Sequence, residues 1–356
     1  MPKVASIPGD GIGPEVVSAA LNVAESACNF AGIDLEVEQF DMNADRYLRD
    51  GVGMTDAEFE RLRDDFDAIF LGALGDPRIP DMAHGKEILL GLRFGLDLYV
   101  NLRPVRLLEA SLCPLKGRGS DDVDFVVVRE NTEGAYAGVG GAIKRGTAEE
   151  VATQEMINTH KGVERIVRYA FEYAERFDRH AVCMTDKHNV LTDGHGLWKR
   201  VFESVADDHP EIEARHLFAD ALAMEMVRDP SQFEVIVTCN MFGDILSDLG
   251  AQIQGGMGVA PSGNLNPRTG HALFEPVHGS APDIAGEGRA NPIAAIRSVA
   301  MLFDHLGYEA VGAAVERAVA EAVAARKVSP DLNGELSTSE VGEAVIERLN
   351  TDQDAG

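Results

Sequence analysis

The sequence predicts an α/β protein, and three observations carry that expectation. Short β-branched runs are each followed by polar residues and then by a helix-like pattern, so that strands alternate with helices in parallel βαβ fashion. The polar residues fall just past the strand ends, where open α/β sheets bind their ligands. A chain of 356 residues can bury a large core and is long enough for two domains.

The elements follow in order. Val4 to Ile7 is a short apolar run leading into "IPGDGIGPEVV" (7–17), with Gly9, Gly11 and Gly13 ahead of a helix-like stretch from Val16 to Ala24. The spacing is G-x-G-x-G, whereas the dinucleotide fingerprint is G-x-G-x-x-G. Pro14 suits a first helical turn and Glu15 its positive end, so a tight turn explains this loop as well as a phosphate cradle does. The same grammar recurs in "AIFLGALGDP" (68–77), "DFVVVRENTEG" (124–134), "AVCMTDKHNVL" (181–191) and "EVIVTCNMFGDILSDLG" (234–250). Arg129, Lys187 and Asp244 thereby fall just past strand ends and can converge on one cleft. "CPLKGRGSDD" (113–122) reads as a loop and "NTDQDAG" (350–356) as a frayed tail.

Composition narrows the class. The chain is 45% apolar, as soluble globular proteins are. No run approaches the ~20 apolar residues of a membrane span, and Met1 to Lys3 leads straight into a strand with no signal peptide in view. Cys28, Cys113, Cys183 and Cys239 are scattered singly, which suggests thiols in a reducing cytoplasm. A formal net charge of −27 argues against nucleic acid or anionic membranes as partners. The 32 basic residues comprise 8 Lys and 24 Arg. An acid-rich, lysine-poor surface suits a salt-adapted (halophilic) cytosol, where screening over ~3 Å at 1 M weakens self-repulsion.

Chemistry concentrates in a few residues. Asp244 and Asp248 are four apart, so on a helix they share a face with Cβ atoms ~5–6 Å apart. Two carboxylates that close repel unless a cation or proton sits between them, and a hard divalent ion such as Mg²⁺ or Mn²⁺ is the natural occupant. The plainer alternative makes Asp244 a helix N-cap and Asp248 a solvated surface group. Asp220, in the apolar "LFADALAMEMV", tilts the balance toward metal. Arg93, Arg103 and Arg129 each sit beside apolar residues and suggest bidentate capture of a substrate with two carboxylates. Tyr136 and Lys187 offer proton donors and acceptors.

Together these stretches are recognisable. The chain resembles the β-decarboxylating dehydrogenases, the family of isocitrate, 3-isopropylmalate, homoisocitrate and tartrate dehydrogenases. The likeness runs through "IPGDGIGPE", "LDLYVNLRPV", "VRENTEGAYAG", "TDKHNVL", "NMFGDILSDLGA" and "FEPVHGSAPDIAGEGRANP", nearly the whole chain. It implies that Arg93, Arg103 and Arg129 hold malate-like carboxylates and that Lys187 acts in deprotonating the C2 hydroxyl. It implies equally that Tyr136 protonates the enolate and that Asp220, Asp244 and Asp248 hold Mg²⁺ or Mn²⁺. The adenosine half of NAD is expected on 278–292 through His278, Gly279, Ser280, Ala281, Asp283, Ile284 and Asn291, with Asn189 near the nicotinamide. On this likeness the amino-terminal glycines make a turn beside the cofactor.

The resemblance further implies an isocitrate/isopropylmalate dehydrogenase-like fold with a shared mixed sheet, distinct from the doubly wound dinucleotide fold. One domain would combine 1–99 with 253–356, a cofactor-side unit. The other, 100–252, would carry substrate, metal and dimerisation, with an arm at 136–158. A homodimer with shared active sites is expected, in which Lys187 and Asp220 reach the neighbouring chain's Asp244 and Asp248.

Substrate choice is expected to turn on "GKEILLGLR" (85–93). Isocitrate enzymes place a serine six before and an asparagine four before the arginine; Glu87 and Leu89 stand there. Leu89 and Leu90 suit an isopropyl group, whose burial is worth ~1.5–3 kcal/mol. NAD-dependent oxidative decarboxylation of 3-isopropylmalate to 4-methyl-2-oxopentanoate, a step of leucine biosynthesis, is therefore expected. NAD-dependent isocitrate, homoisocitrate or tartrate/malate oxidation is the alternative, raised by "RENTEG". A non-catalytic regulatory subunit is more remote, since Tyr136, Lys187, Asp220, Asp244 and Asp248 are all present. Asp283 favours NAD over NADP, because its charge would repel a 2′-phosphate.

Overall fold

The computed structural model describes residues 1–351. Of the tail expected to fray, 352–356 lie outside the described residues, whereas Asn350 and Thr351 continue the helix Thr338–Thr351. The chain forms two compact units. The first comprises Met1–Leu98, Arg106–Ser120 and the chain from Ala251 on; the second comprises Tyr99–Val105 and Asp121–Gly250. The segment Arg106–Ser120 was expected with the middle domain. Leu108 and Leu112 instead pack against the first unit's core, which draws their segment with them.

Strands in the first half of the chain are β1 (Lys3–Gly9), β2 (Glu36–Gln39), β3 (Ala68–Ala73), β4 (Val100–Arg106), β5 (Asp124–Glu130) and β6 (Gly140–Ile143). They continue as β7 (Val151–Gln154), β8 (Ala181–Asp186), β9 (Glu213–Phe218), β10 (Val235–Thr238), β11 (Pro261–Leu265) and β12 (Ala272–Pro276). In the first unit the order is β2-β1-β3-β12-β11. β1 runs parallel to β2 and β3, and β3 parallel to β12. β11 and β12 pair antiparallel, which makes the sheet mixed, as the resemblance implied. A short hairpin turn at 266–271 joins these two strands, and only an antiparallel pair can be closed by so short a link.

Helix Gly13–Ala31 starts with a proline in its first turn and buries Val16, Val17, Ala20, Val23, Ala24 and Ala27, the i, i+3, i+4 stripe of an amphipathic helix. That stripe joins one core with the helices Ile293–His305, Glu309–Ala324 and Thr338–Thr351. A second core, around Ile7, Ile69, Leu71, Ile88 and Leu92, fills the other side of the same strands.

In the second unit the order is β4-β5-β10-β8-β9, with β5, β10, β8 and β9 parallel. The β-branched runs legible in the sequence are these strands, buried along their lengths as strands covered on both faces must be. Helix His160–Arg176 covers β5, β8 and β10 through Val163, Ile166, Val167, Ala170 and Phe171. Within 136–158, β6 and β7 form an antiparallel hairpin that leaves Val139, Ile143 and Val151 exposed. Cys28, Cys183 and Cys239 are buried, Cys113 is half-buried, and all four are free thiols. Among the described residues no helix is long and apolar enough to cross a membrane.

Candidate active site

The strands of the second unit and the helix after β10 bring several charged residues together. Arg103 lies in β4, and Arg129 is the penultimate residue of β5. Asp244 and Asp248 lie on helix Asn240–Ile253, which follows β10. Because the helix begins at Asn240, Asp244 sits a full turn inside it, and the N-cap alternative is set aside. The Arg129 guanidinium donates from Nη1 to Asp244 Oδ1 at 2.6 Å, while its Nε and Nη2 both donate to Asn240 Oδ1 at 3.1 and 2.7 Å. Arg103 donates to Ser247 Oγ at 2.6 Å and lies 3.5 Å from Asp244 and from Asp248. Tyr136 donates its hydroxyl to Asp244 Oδ2 at 3.0 Å, under the Arg129 guanidinium.

Electrostatics follow from that packing. Burial and the adjacent Asp244 charge hold the Tyr136 phenol above its ordinary range, so it keeps its proton. Burial, opposed by Arg103, and the like charge of Asp244 push the Asp248 carboxyl up. Two oxygen-donor carboxylates on one helix face, 36% and 54% exposed, are chemically suited to a hard divalent ion that ordinary solvent can deliver.

A second cluster stands at the ends of β8 and β9. Lys187 follows β8 directly, and its ammonium donates to Asp220 Oδ1 at 2.6 Å, in the first turn of helix Ala219–Arg228. That contact holds the Asp220 carboxyl below its ordinary range. The Lys187 N–H donates to Nδ1 of the fully buried His195 at 2.9 Å, which fixes the backbone of the lysine. Within the chain, then, Asp220 pairs with Lys187, and Asp244 with Arg129. Asn189 is exposed in the turn after Lys187.

The remaining expected residues belong to the first unit. Arg93 donates from Nη2 to Glu275 Oε1 at 2.8 Å, an acceptor that Asn264 shares. The stretch carrying Leu89 and Leu90 is not a regular α-helix. Lys86–Leu90 is π-helical, closed by the Gly91 N–H donating to Lys86 O, so side-chain positions rotate relative to a 3.6-residue count. Leu89 packs at the edge of the second core, Leu90 is half-buried, and the Glu87 carboxylate accepts the Met54 N–H at 3.3 Å.

His278, Gly279, Ser280, Ala281, Asp283, Ile284 and Asn291 lie in the loop between β12 and helix Ile293–His305. His278, Ile284 and Asn291 line a cavity of ≈ 290 Å³ with Ile12, Arg289 and Asp331, near the lower end of the ~300–1,000 Å³ usual for ligand clefts. Asp283 is exposed beside Ile284. Ile12 donates its N–H to Ser280 O at 2.8 Å, and Glu15 accepts the Gly288 N–H. The amino-terminal glycine turn therefore buttresses the 278–291 loop.

Several residues escaped the sequence reading. Asn240 and Ser247 hold the two arginines, and with Asp244 and Asp248 they follow the i, i+4, i+7, i+8 pattern of one helix face, a signal that was there to be used. His195 and Asp331 carried no such pattern.

The arginines and carboxylates gathered here belong to the stretches through which the sequence resembles the β-decarboxylating dehydrogenases. The family model described as isocitrate/isopropylmalate dehydrogenase matches residues 3–345, so the chain belongs to that family. It is 46% identical to the 3-isopropylmalate dehydrogenase of Thermobifida fusca over 98% of this chain and 97% of that one. It is 49% identical to the 3-isopropylmalate dehydrogenase of Clavibacter sepedonicus over 98% of each. Among solved structures, isocitrate dehydrogenase from Methylococcus capsulatus superposes with a TM-score of 0.87 at 38% identity, covering 98% of this chain and 99% of that one. A β-decarboxylating dehydrogenase from Thermococcus kodakarensis gives 0.81 at 37% identity, covering 99% and 98%.

Proposed function

We propose that the protein oxidises and decarboxylates 3-isopropylmalate, using NAD and Mg²⁺ or Mn²⁺, to give 4-methyl-2-oxopentanoate. The observation that carries the reaction class is the convergence of Arg103, Arg129 and Tyr136 on the paired carboxylates Asp244 and Asp248. The names of the full-length relatives, with Leu89 and Leu90 in place of polar groups, favour the isopropyl substrate over isocitrate.

When bound, the divalent ion supplies Lewis-acid stabilisation of the developing oxyanion, and NAD accepts the hydride leaving C2. Asp244 and Asp248 would hold the ion, completed by Asp220 of the partner subunit. Arg103 and Arg129 bind and orient the malate carboxylates through planar, bidentate contacts. Lys187 takes part in removing the C2 hydroxyl proton. After CO₂ leaves C3, the protonated Tyr136 hydroxyl returns a proton to that carbon, and the elevated phenol keeps the donor loaded at neutral pH.

The cavity at Ile12, Ile284 and Asn291 is read as the adenosine site, with Asp283 disfavouring a 2′-phosphate. The exposed hairpin of 140–154, which carries Ile143 and Val151 on its surface, is read as the dimer arm, and the pairing of Lys187 with Asp220 fits two residues offered together to a partner. A cytosolic, salt-adapted homodimer is the setting these features favour.

The test compares kcat/KM for 3-isopropylmalate and isocitrate, with NAD and with NADP, in the wild type and in Leu89→Asn. Preference for 3-isopropylmalate with NAD is expected, narrowed in the variant. A wild type preferring isocitrate would overturn the substrate assignment.

A further inference from the structure

We propose that Asp186, His188 and His216 form a second cation site, for a Zn²⁺-like ion, separate from the carboxylate pair on helix Asn240–Ile253. Asp186 ends β8 and His216 lies in β9. The register pairs Asp186 with Phe218, which makes His216 its diagonal neighbour on the same face. The turn after β8 brings His188 back over the strand end. His188 Nδ1 lies 3.0 Å from both Asp186 oxygens, and His216 Nε2 lies 2.9 Å from Oδ1. All three donor atoms fall within 4.8 Å of one another. The imidazoles, with centroids 4.9 Å apart, both pack against Phe218.

The donor chemistry selects the ion. Two neutral imidazoles and one carboxylate match Zn²⁺ or Co²⁺, whereas Mg²⁺ and Mn²⁺ favour oxygen. Donors ~2.0–2.1 Å from a tetrahedral ion sit roughly 3.3 Å apart, so the two Asp186–imidazole separations need open by only a few tenths of an ångström. Asp186 is 1% exposed, while His188 and His216 side chains are 21% and 28% exposed. The carboxylate is thus held away from water while the imidazoles can be reached by an ion. The ammonium of the adjoining Lys187 is paired with Asp220, and the imidazoles contact Asp186. On binding, each ring nitrogen facing Asp186 exchanges its proton for the ion, and the fourth position remains for water. This site stands independently of the proposed substrate.

The experiment uses the full-length, chelator-stripped protein in excess Mg²⁺, titrated with Zn²⁺ against a chromophoric zinc indicator. Co²⁺ absorption in the visible reports four-coordinate geometry in parallel. Wild type and Asp248→Asn should each bind one Zn²⁺ per chain, and His188→Gln and His216→Gln should bind it at least ~tenfold more weakly. Should His216→Gln fail to fold by circular dichroism, His188→Gln, in an accessible turn, decides alone. Absence of Zn²⁺ uptake by the wild type, undiminished binding in His188→Gln, or loss of binding in Asp248→Asn would each overturn the proposal.

Discussion

Gly11→Ala is expected to damage NAD binding from a position outside the ligand-lining loop. Gly11 adopts φ +56°, and a Cβ there would lie 2.0 Å from Ser280 O and 2.8 Å from its carbonyl carbon. Contacts between such atoms settle near ~3.5 Å, so the 278–291 loop must withdraw by roughly 1.5 Å. The left-handed conformation costs alanine about 1–2 kcal/mol. Loss of the Ile12 N–H to Ser280 O hydrogen bond adds about 0.5–1.5 kcal/mol, for a total of roughly 1.5–3.5 kcal/mol. Gly32, at φ +65° with nothing within 4 Å of its would-be Cβ, is the matched control, since Gly32→Ala incurs the strain alone. Urea unfolding and initial rates with NAD varied measure both effects. Gly11→Ala should be the less stable of the two and should raise the KM for NAD ~tenfold or more, with the KM for substrate little changed. If the two variants lose equal stability and share the wild-type KM for NAD, the buttressing role of this turn is wrong.

Other perturbations reach the second unit. Asp248→Asn should sharply raise the Mg²⁺ or Mn²⁺ concentration needed for half-maximal rate, and an unchanged metal titration would remove Asp248 from the ion site. Mixing inactive Lys187→Ala and Asp244→Ala chains should restore activity through hybrid sites, unless each chain's site is self-contained. Burial lifts the Glu130 carboxyl to about 7 from an ordinary 4.5, with Thr132 and Glu133 N–H groups donating to it and Arg165 3.9 Å away. The folded state therefore binds the proton more tightly than the unfolded chain. That stabilisation is complete below pH 4.5 and is lost as the pH rises through 7. Relative to Glu130→Gln, the wild type should lose roughly 3 kcal/mol of unfolding free energy across this window, at ~1.36 kcal/mol per pH unit. Parallel stability curves for the two proteins would contradict it.

Much of this was legible before any coordinates. The β-branched runs became β3, β5, β8 and β10 because continuous apolar stretches bounded by polar residues can be buried on both faces only as central strands. Asp244 and Asp248 were legible because helical periodicity converts a spacing of four into adjacency. The direction of β11 against β12 was not, since neither strand's pattern encodes the direction of its neighbour. Nor was the π-helical turn at Lys86–Leu90, where one extra residue per turn leaves the apolar pattern almost unchanged. Partner choice escaped as well. Asp220 was legible as a third acid, whereas its ion pair with Lys187 within the chain comes from the fold alone.

The arginines and carboxylates that grip one another in the second unit carry a consequence for how ligands arrive. Arg103 and Arg129 offset Asp244 and Asp248 charge for charge, leaving a locally neutral patch on a molecule of net −27. A lone dianion approaching that molecule is repelled, and a lone dication meets guanidinium groups already seated on its ligands. A divalent ion and a malate dianion taken up together exchange partners with these groups and leave the patch neutral. Their joint affinity should consequently vary less with ionic strength than that of either ligand alone.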